Sequence, residues 1–221
     1  EFSTDHKNLK SYEGVLPGIK PVLQMGTEPH AWASWLRTKE VEIPEQHFKL
    51  YTNKIDGTEY EDGGATPLGL ALPKELNDTP FMVEKVIDYI SGQKNSWCVH
   101  LSLLRPHPPW IAPEPFNRMY PPAELMKFNR KEGKVDEARQ HPFLNEFLNK
   151  TGYQAPEDDK KLARLKASYF GLMSEVDQNL GILFDYLKKN DFWDNTLIIF
   201  TSDHGEQIGD HWLLGKLGYF D

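Results

Sequence analysis

Asn195-Thr-Leu-Ile-Ile-Phe-Thr-Ser-Asp-His-Gly-Glu-Gln-Ile-Gly-Asp-His-Trp-Leu-Leu-Gly-Lys216 is the stretch on which the reading of this chain turns. An apolar run of strand-forming residues, Asn195 to Phe200, stops abruptly at Ser202-Asp203-His204-Gly205-Glu206. Asp203 and His204 stand side by side where a strand would become a loop. In open α/β sheets that is where sites form, outside the carboxyl ends of the strands. Between Phe200 and Lys216 lie three acids, two histidines, three glycines and one lysine. Oxygen and imidazole donors of this kind suit several divalent metals, from Mn²⁺ to Zn²⁺, whereas Ca²⁺ prefers oxygen. The competing reading is a polar turn with no ligand. A zinc-deaminase reading of His204-Gly-Glu206 fails, because it requires a later pair of cysteines and the chain has one cysteine, Cys98, upstream.

Working back from that stretch, Leu162, Leu165, Tyr169, Leu172, Met173, Val176, Leu180, Leu183, Phe184 and Leu187 recur at helical spacing. Acids at Glu157 to Asp159 and Lys188-Lys189 at the far end suit the helix dipole, so a long helix is expected from about Glu157 to Asn190. Trp97 to Leu104 reads as a short strand that ends where Arg105-Pro-His-Pro-Pro109 forbids further pairing. Before it, Phe81, Val83, Val86, Ile87 and Ile90 form one helical face, with Thr79 as cap, Pro80 in the first turn and Gly92 as stop. Short helices are expected near 121–128 and 143–150. The order helix, strand, long excursion, helix, strand, loop is a βαβ unit with an insertion, which predicts a parallel pair of strands in an α/β sheet. Residues 1–75 are punctuated by turn residues every few positions and read as a loop-rich elaboration of the same domain, with a possible strand within 41–51; residues 76–221 form the α/β core segment.

The 221 residues are 39% hydrophobic and carry a formal net charge of −8. That composition supports a packed core and argues against sequence-independent nucleic-acid binding, which needs a basic surface. No apolar run is long enough for a transmembrane span. Glu1-Phe2-Ser3 shows no signal peptide, and the location stays open between cytoplasm and periplasm. Cys98 lies inside the first expected strand and reads as a small buried hydrophobe rather than a reactive thiol. Asn149-Lys-Thr151 matches a glycosylation acceptor that chance alone would supply.

Two further residues carry chemistry. His107 follows a strand directly and is flanked by prolines that fix the backbone around it; an imidazole there can protonate a leaving group. Lys216 lies a short loop beyond Asp203-His204 and can bind an ester oxygen as a point charge. Each could instead be an ordinary surface residue. Glu206, Asp210 and His211 are divided evenly between groups that orient ligands and plain loop polars. Asp177, among apolar neighbours in the long helix, is expected to bond to a loop.

Three pieces, Leu101 to Trp110, Ala167 to Gly181 and Thr201 to Asp221, together resemble the sulfatase and phosphonate monoester hydrolase family of the alkaline phosphatase superfamily. Arg105-Pro-His107 with Gly205-Glu-Gln-Ile-Gly-Asp-His211 looks most like the phosphonate monoester hydrolase branch. The resemblance implies an alkaline-phosphatase-like mixed α/β sheet with flanking helices and long loops. It implies Asp203 and His204 as ligands of one divalent metal, Ca²⁺ or Mn²⁺, and His107 and Lys216 as catalytic, substrate-binding groups. The substrate would be a small anionic ester of sulfate, phosphonate or phosphate. Family members use a formylglycine made from a cysteine in a C-x-P/A-x-R segment, with an early aspartate ligand; both lie upstream in the family. Cys98 is followed by Val-His-Leu-Ser102 and does not fit. The chain is therefore expected to be an internal or truncated piece carrying half an active site, capable of forming homo-oligomers. The alternative is a non-catalytic sulfatase-like binding module or pseudoenzyme.

Overall fold

The computed structural model describes residues 19–23, 25, 29–58, 65–150, 152 and 154–216. Among these the helices are α1 (His30–Thr38), α2 (Asp78–Ser91), α3 (Lys134–Ala138), α4 (Pro142–Leu148) and α5 (Asp159–Lys189), with short 3₁₀ turns between them. The paired strands are β1 (Gln207–Ile208) and β2 (Leu214–Gly215), antiparallel, with Gln207 opposite Gly215 and Ile208 opposite Leu214.

The 31-residue α5 is the spine. Asp158 caps it, its carboxylate accepting the Lys160 and Lys161 amides, a bond class that contributes about 1 kcal/mol. One face of α5 packs on α2 through Val83, Ile90, Leu183 and Leu187. Nearer its start, Leu162, Leu165 and Leu172 close a core with Trp110, Ala112, Phe116 and Ile208. Gly171 sits against the Phe116 carbonyl so closely that a Cβ there would come within 2.5 Å of the oxygen. Only glycine permits that approach.

The helix expected between the cap Thr79 and the stop Gly92 is α2; it begins two residues earlier, entered from Asn77, and ends at Gly92 as expected. The pattern at 143–150 became α4, and that at 121–128 shortened to a 3₁₀ turn, Pro122–Leu125. Two helices were not anticipated. In α1, Trp32, Ala33 and Leu36 bury one face against Leu50, Tyr51 and Phe81. Nine residues make a marginal helix alone, so tertiary packing sustains it. α3 is one turn among charged residues and has little periodicity to read. Instead of a strand, 41–51 ends in a 3₁₀ turn, His47–Tyr51. Because α1 shares its core with α2, residues 29–51 pack on the same body as the rest.

The parallel pair is not formed among the described residues. Residues 97–104 and 196–202 run without ladder bonds. In the first, Trp97, Val99 and Leu101 pack toward α2 and α5 while the alternate residues are exposed, which is strand geometry without a neighbouring strand. Cys98 belongs to the outward set and is exposed, contrary to the buried reading; a period of two sends it away from the helices. Asp177 also lies exposed, and the buried acid of α5 is Glu175, two positions earlier. Thr151 of the glycosylation triplet is outside the described residues. Among the described residues no helix is long and apolar enough to cross a membrane.

Candidate active site

His107 sits at the apex of the loop 105–109. Its own amide donates to the Leu104 carbonyl at 2.9 Å. The Trp110 indole donates to the Pro106 carbonyl at 3.1 Å, and Arg105 Nη1 donates to the Pro109 carbonyl at 2.9 Å. The imidazole Nδ1 is 2.7 Å from the Pro108 carbonyl. A carbonyl can only accept, so Nδ1 carries the hydrogen and Nε2 is the ring atom left for chemistry.

His204 is set in the same manner. Its Nδ1 is 2.7 Å from the Gly205 carbonyl, which again leaves Nε2 available. That Nε2 is 3.4 Å from Asp203 Oδ2. Asp203 also receives the His204 amide on Oδ1 at 2.9 Å. Two donors each about 2.2 Å from one ion, at roughly a right angle, stand about 3.1 Å apart, so the pair fits a shared divalent metal. Asp203 is 86% exposed at its side chain and His204 is 18% exposed. Among the described residues no third His, Cys, Asp or Glu completes a metal cluster with them.

Glu206 joins the parts. Burial raises its pKa, and the neighbouring charges of His204, His107 and Lys216 pull it back, while Asp203 pushes it up again. The charges of the four residues expected from sequence are thus all felt at one carboxylate. One oxygen of Glu206, Oε2, is buried with no hydrogen-bond partner among the described residues. Its charge also reaches Tyr169 on α5, whose phenol is raised chiefly by burial and further by Glu206. Tyr169 meets Trp110 edge to face, with ring centres 6.5 Å apart. Sequence reasoning left Glu206 undecided and placed Tyr169 in the core. The usable signal was the alternation of His204 and Glu206, which in an extended chain share a side.

Asp210 and His211 do not face this centre; they fasten the hairpin that leads to Lys216. Gly209, His211 and Trp212 have φ of 97°, 52° and 59°, and the last two are non-glycine residues in the left-handed region, a cost of about 1–3 kcal/mol each. The 129–137 segment offsets it. Asp210 Oδ1 accepts the Asn129 amide at 2.7 Å, and the His211 amide donates to the Asn129 carbonyl at 2.8 Å. His211 Nδ1 meets buried Glu137 Oε1 at 2.8 Å, the Trp212 indole donates to the Lys131 carbonyl at 2.9 Å, and Arg130 stacks 3.7 Å over the Trp212 ring. Lys216 lies exposed at the end of β2.

Residues 43–218 match the Sulfatase family model. The chain is 34% identical over 216 residues to the multifunctional alkaline phosphatase superfamily protein PehA of Trinickia caryophylli, covering 93% of this chain and 41% of that one. It is 29% identical over 178 residues to the choline-sulfatase of Rhizobium meliloti, covering 76% and 34%. Among solved structures it matches the phosphonate monoester hydrolase of Agrobacterium radiobacter with a TM-score of 0.83 and 34% identity, over 99% of this chain and 44% of that one. The Silicibacter pomeroyi phosphonate monoester hydrolase gives 0.78 and 30%, over 96% and 43%. The chain thus spans less than half the length of these relatives, and its fold is a part of their alkaline-phosphatase-like α/β fold. With a family model matched over most of its length, this chain belongs to the sulfatase family.

Proposed function

We propose that this chain is the metal- and proton-handling part of a longer hydrolase of sulfate or phosphonate and phosphate monoesters. The observation that carries the reading is the approach of His204 Nε2 to Asp203 Oδ2 at 3.4 Å, with His107 and Lys216 acting on the same carboxylate, Glu206. Asp203 and His204 would hold one divalent ion, Ca²⁺ or Mn²⁺, which when bound polarises the ester oxygens. Lys216 offsets the charge of a non-bridging oxygen of the substrate. His107, its Nδ1 hydrogen committed to Pro108, presents Nε2 to the leaving-group oxygen and donates a proton as that bond breaks. The nucleophile, a formylglycine by family resemblance, would come from a segment upstream of this chain.

The test is a leaving-group series in the full-length protein. His107→Ala should lower turnover by ~10²-fold or more for esters with poor leaving groups, and far less for nitrophenyl esters. Equal losses across the series would remove His107 from the acid role. The chain by itself should hydrolyse nitrophenyl sulfate and phenyl phosphonate esters at background rate with Mn²⁺ or Ca²⁺ added, because no covalent intermediate can form. Metal-dependent turnover of the isolated chain that vanishes in His204→Ala would show the site to be complete without further segments.

A further inference from the structure

The loop that carries His107 starts at Arg105 and ends at Pro109, and one side chain ties both ends. Arg105 is 4% exposed, and its Nη1 bonds the Pro109 carbonyl at 2.9 Å. Its Nε donates to Asp78 Oδ1 at 3.3 Å, at the start of α2, and its guanidinium lies 5.1 Å from the Tyr51 ring centre. Asp78 is 2% exposed and Glu175 on α5 is 1% exposed. Neither carboxylate oxygen of Glu175 has a hydrogen-bond partner among the described residues. Burying such a group is costly, and apolar residues of equal volume would give a core as stable or more so. What apolar residues cannot do is aim two donors at two fixed acceptors. The planar guanidinium does so with Nε toward α2 and Nη1 toward the far end of the loop; a lysine ammonium on a flexible stem does not hold that fork.

We propose that Arg105 is a positioning residue for His107. It closes the 105–109 loop across its base, with Asp78 orienting its guanidinium, so that the imidazole is set before any ester arrives. The inference rests on His107 being the proton donor of the proposed reaction. Positioning of this kind acts on the transition state and leaves substrate affinity nearly untouched.

Arg105→Lys in the full-length protein is the first variant, with Arg105→Met beside it. Arg105→Lys should lower kcat about tenfold on poor leaving groups, change KM less than about twofold, and lose little on nitrophenyl esters. In a His107→Ala background it should cost nothing further, because a positioning residue has no role once its target is gone. A loss that multiplies in that background overturns the proposal. The second readout is independent of turnover: the ring C–H signals of His107, followed by NMR in this chain, should shift or broaden in Arg105→Lys, while signals from α5 stay in place. An unmoved His107 ring overturns the proposal whichever variant folds. Should His107→Ala show no leaving-group dependence, the acid assignment fails, and the ring signals alone then decide whether Arg105 sets the loop.

Discussion

Residues 97–104 and 196–200 are alike in composition, both extended and both ending in loops that bear chemistry. They differ in what covers them. The first lays Trp97, Val99 and Leu101 on α2 and α5 and then enters a loop closed by Arg105 and Trp110. The second leaves Leu197 86% and Phe200 76% exposed and ends at Asp203, whose carboxylate contacts only its neighbour His204. An apolar run of strand-forming residues is therefore insufficient to place a strand: it needs either a packed face or a paired edge. It follows that the proton-donating half of the site is set by contacts within the chain, and the metal-binding half is not.

Amide exchange breaks or sharpens that contrast most directly. In this chain the amides of 197–200 should exchange on the order of 10³-fold or more faster than those of the buried α5 stretch around Leu172 and Val176. Comparable protection in both would show that the second run is covered. A smaller effect is expected at the hairpin. Glu137→Ala removes the buried carboxylate that meets His211 and accepts the Lys131 amide, and should cost about 1–3 kcal/mol, read as a fall of several degrees in melting temperature. In the full-length protein it should also raise KM through Lys216. A melting temperature equal to wild type would mean that the left-handed turn needs no such clamp.

A pH-dependent effect concerns Glu175, whose pKa is pushed up from 4.5 to about 8, first by burial and then by the Asp78 charge, with Arg105 pulling the other way. Its raised value means the folded state holds the proton more tightly than the unfolded chain. Its contribution to stability is present in full below about pH 4.5, declines as pH rises, and is gone above about 8. Melting curves from pH 5 to 9 should show that decline in wild type and a flatter profile in Glu175→Gln. Parallel profiles would mean that Glu175 does not titrate in that window.

The helices α2 and α5 were legible because each has a long one-sided apolar period and a terminal signal, Gly92 after the first and Asp158 before the second. His107, Asp203, His204 and Lys216 were legible as candidates from their places after apolar runs and from family resemblance, and the charge of each is felt at Glu206. The rest depended on contacts distant in sequence. α1 is helical because Phe81 lies behind it, and Cys98 is exposed because only one face of its segment meets a helix. Arg105 was legible only as part of the Arg105-Pro-His107 resemblance. Its meaning lies in Asp78, 27 residues away, and no local pattern reports such a pair.

Gly171 has a consequence for how the whole site can drift. It lies on α5 between Tyr169, whose phenol feels the Glu206 charge, and Glu175, whose carboxyl feels the Arg105 charge. Those two residues are six apart, about 9 Å along the axis. One rigid rail thus touches both halves of the site, and at Gly171 it is seated directly on the Phe116 carbonyl. A side chain at 171 would lift the rail off its bearing and carry both contacts outward together. Displacement of α5 would then move both residues together while preserving the spacing between them.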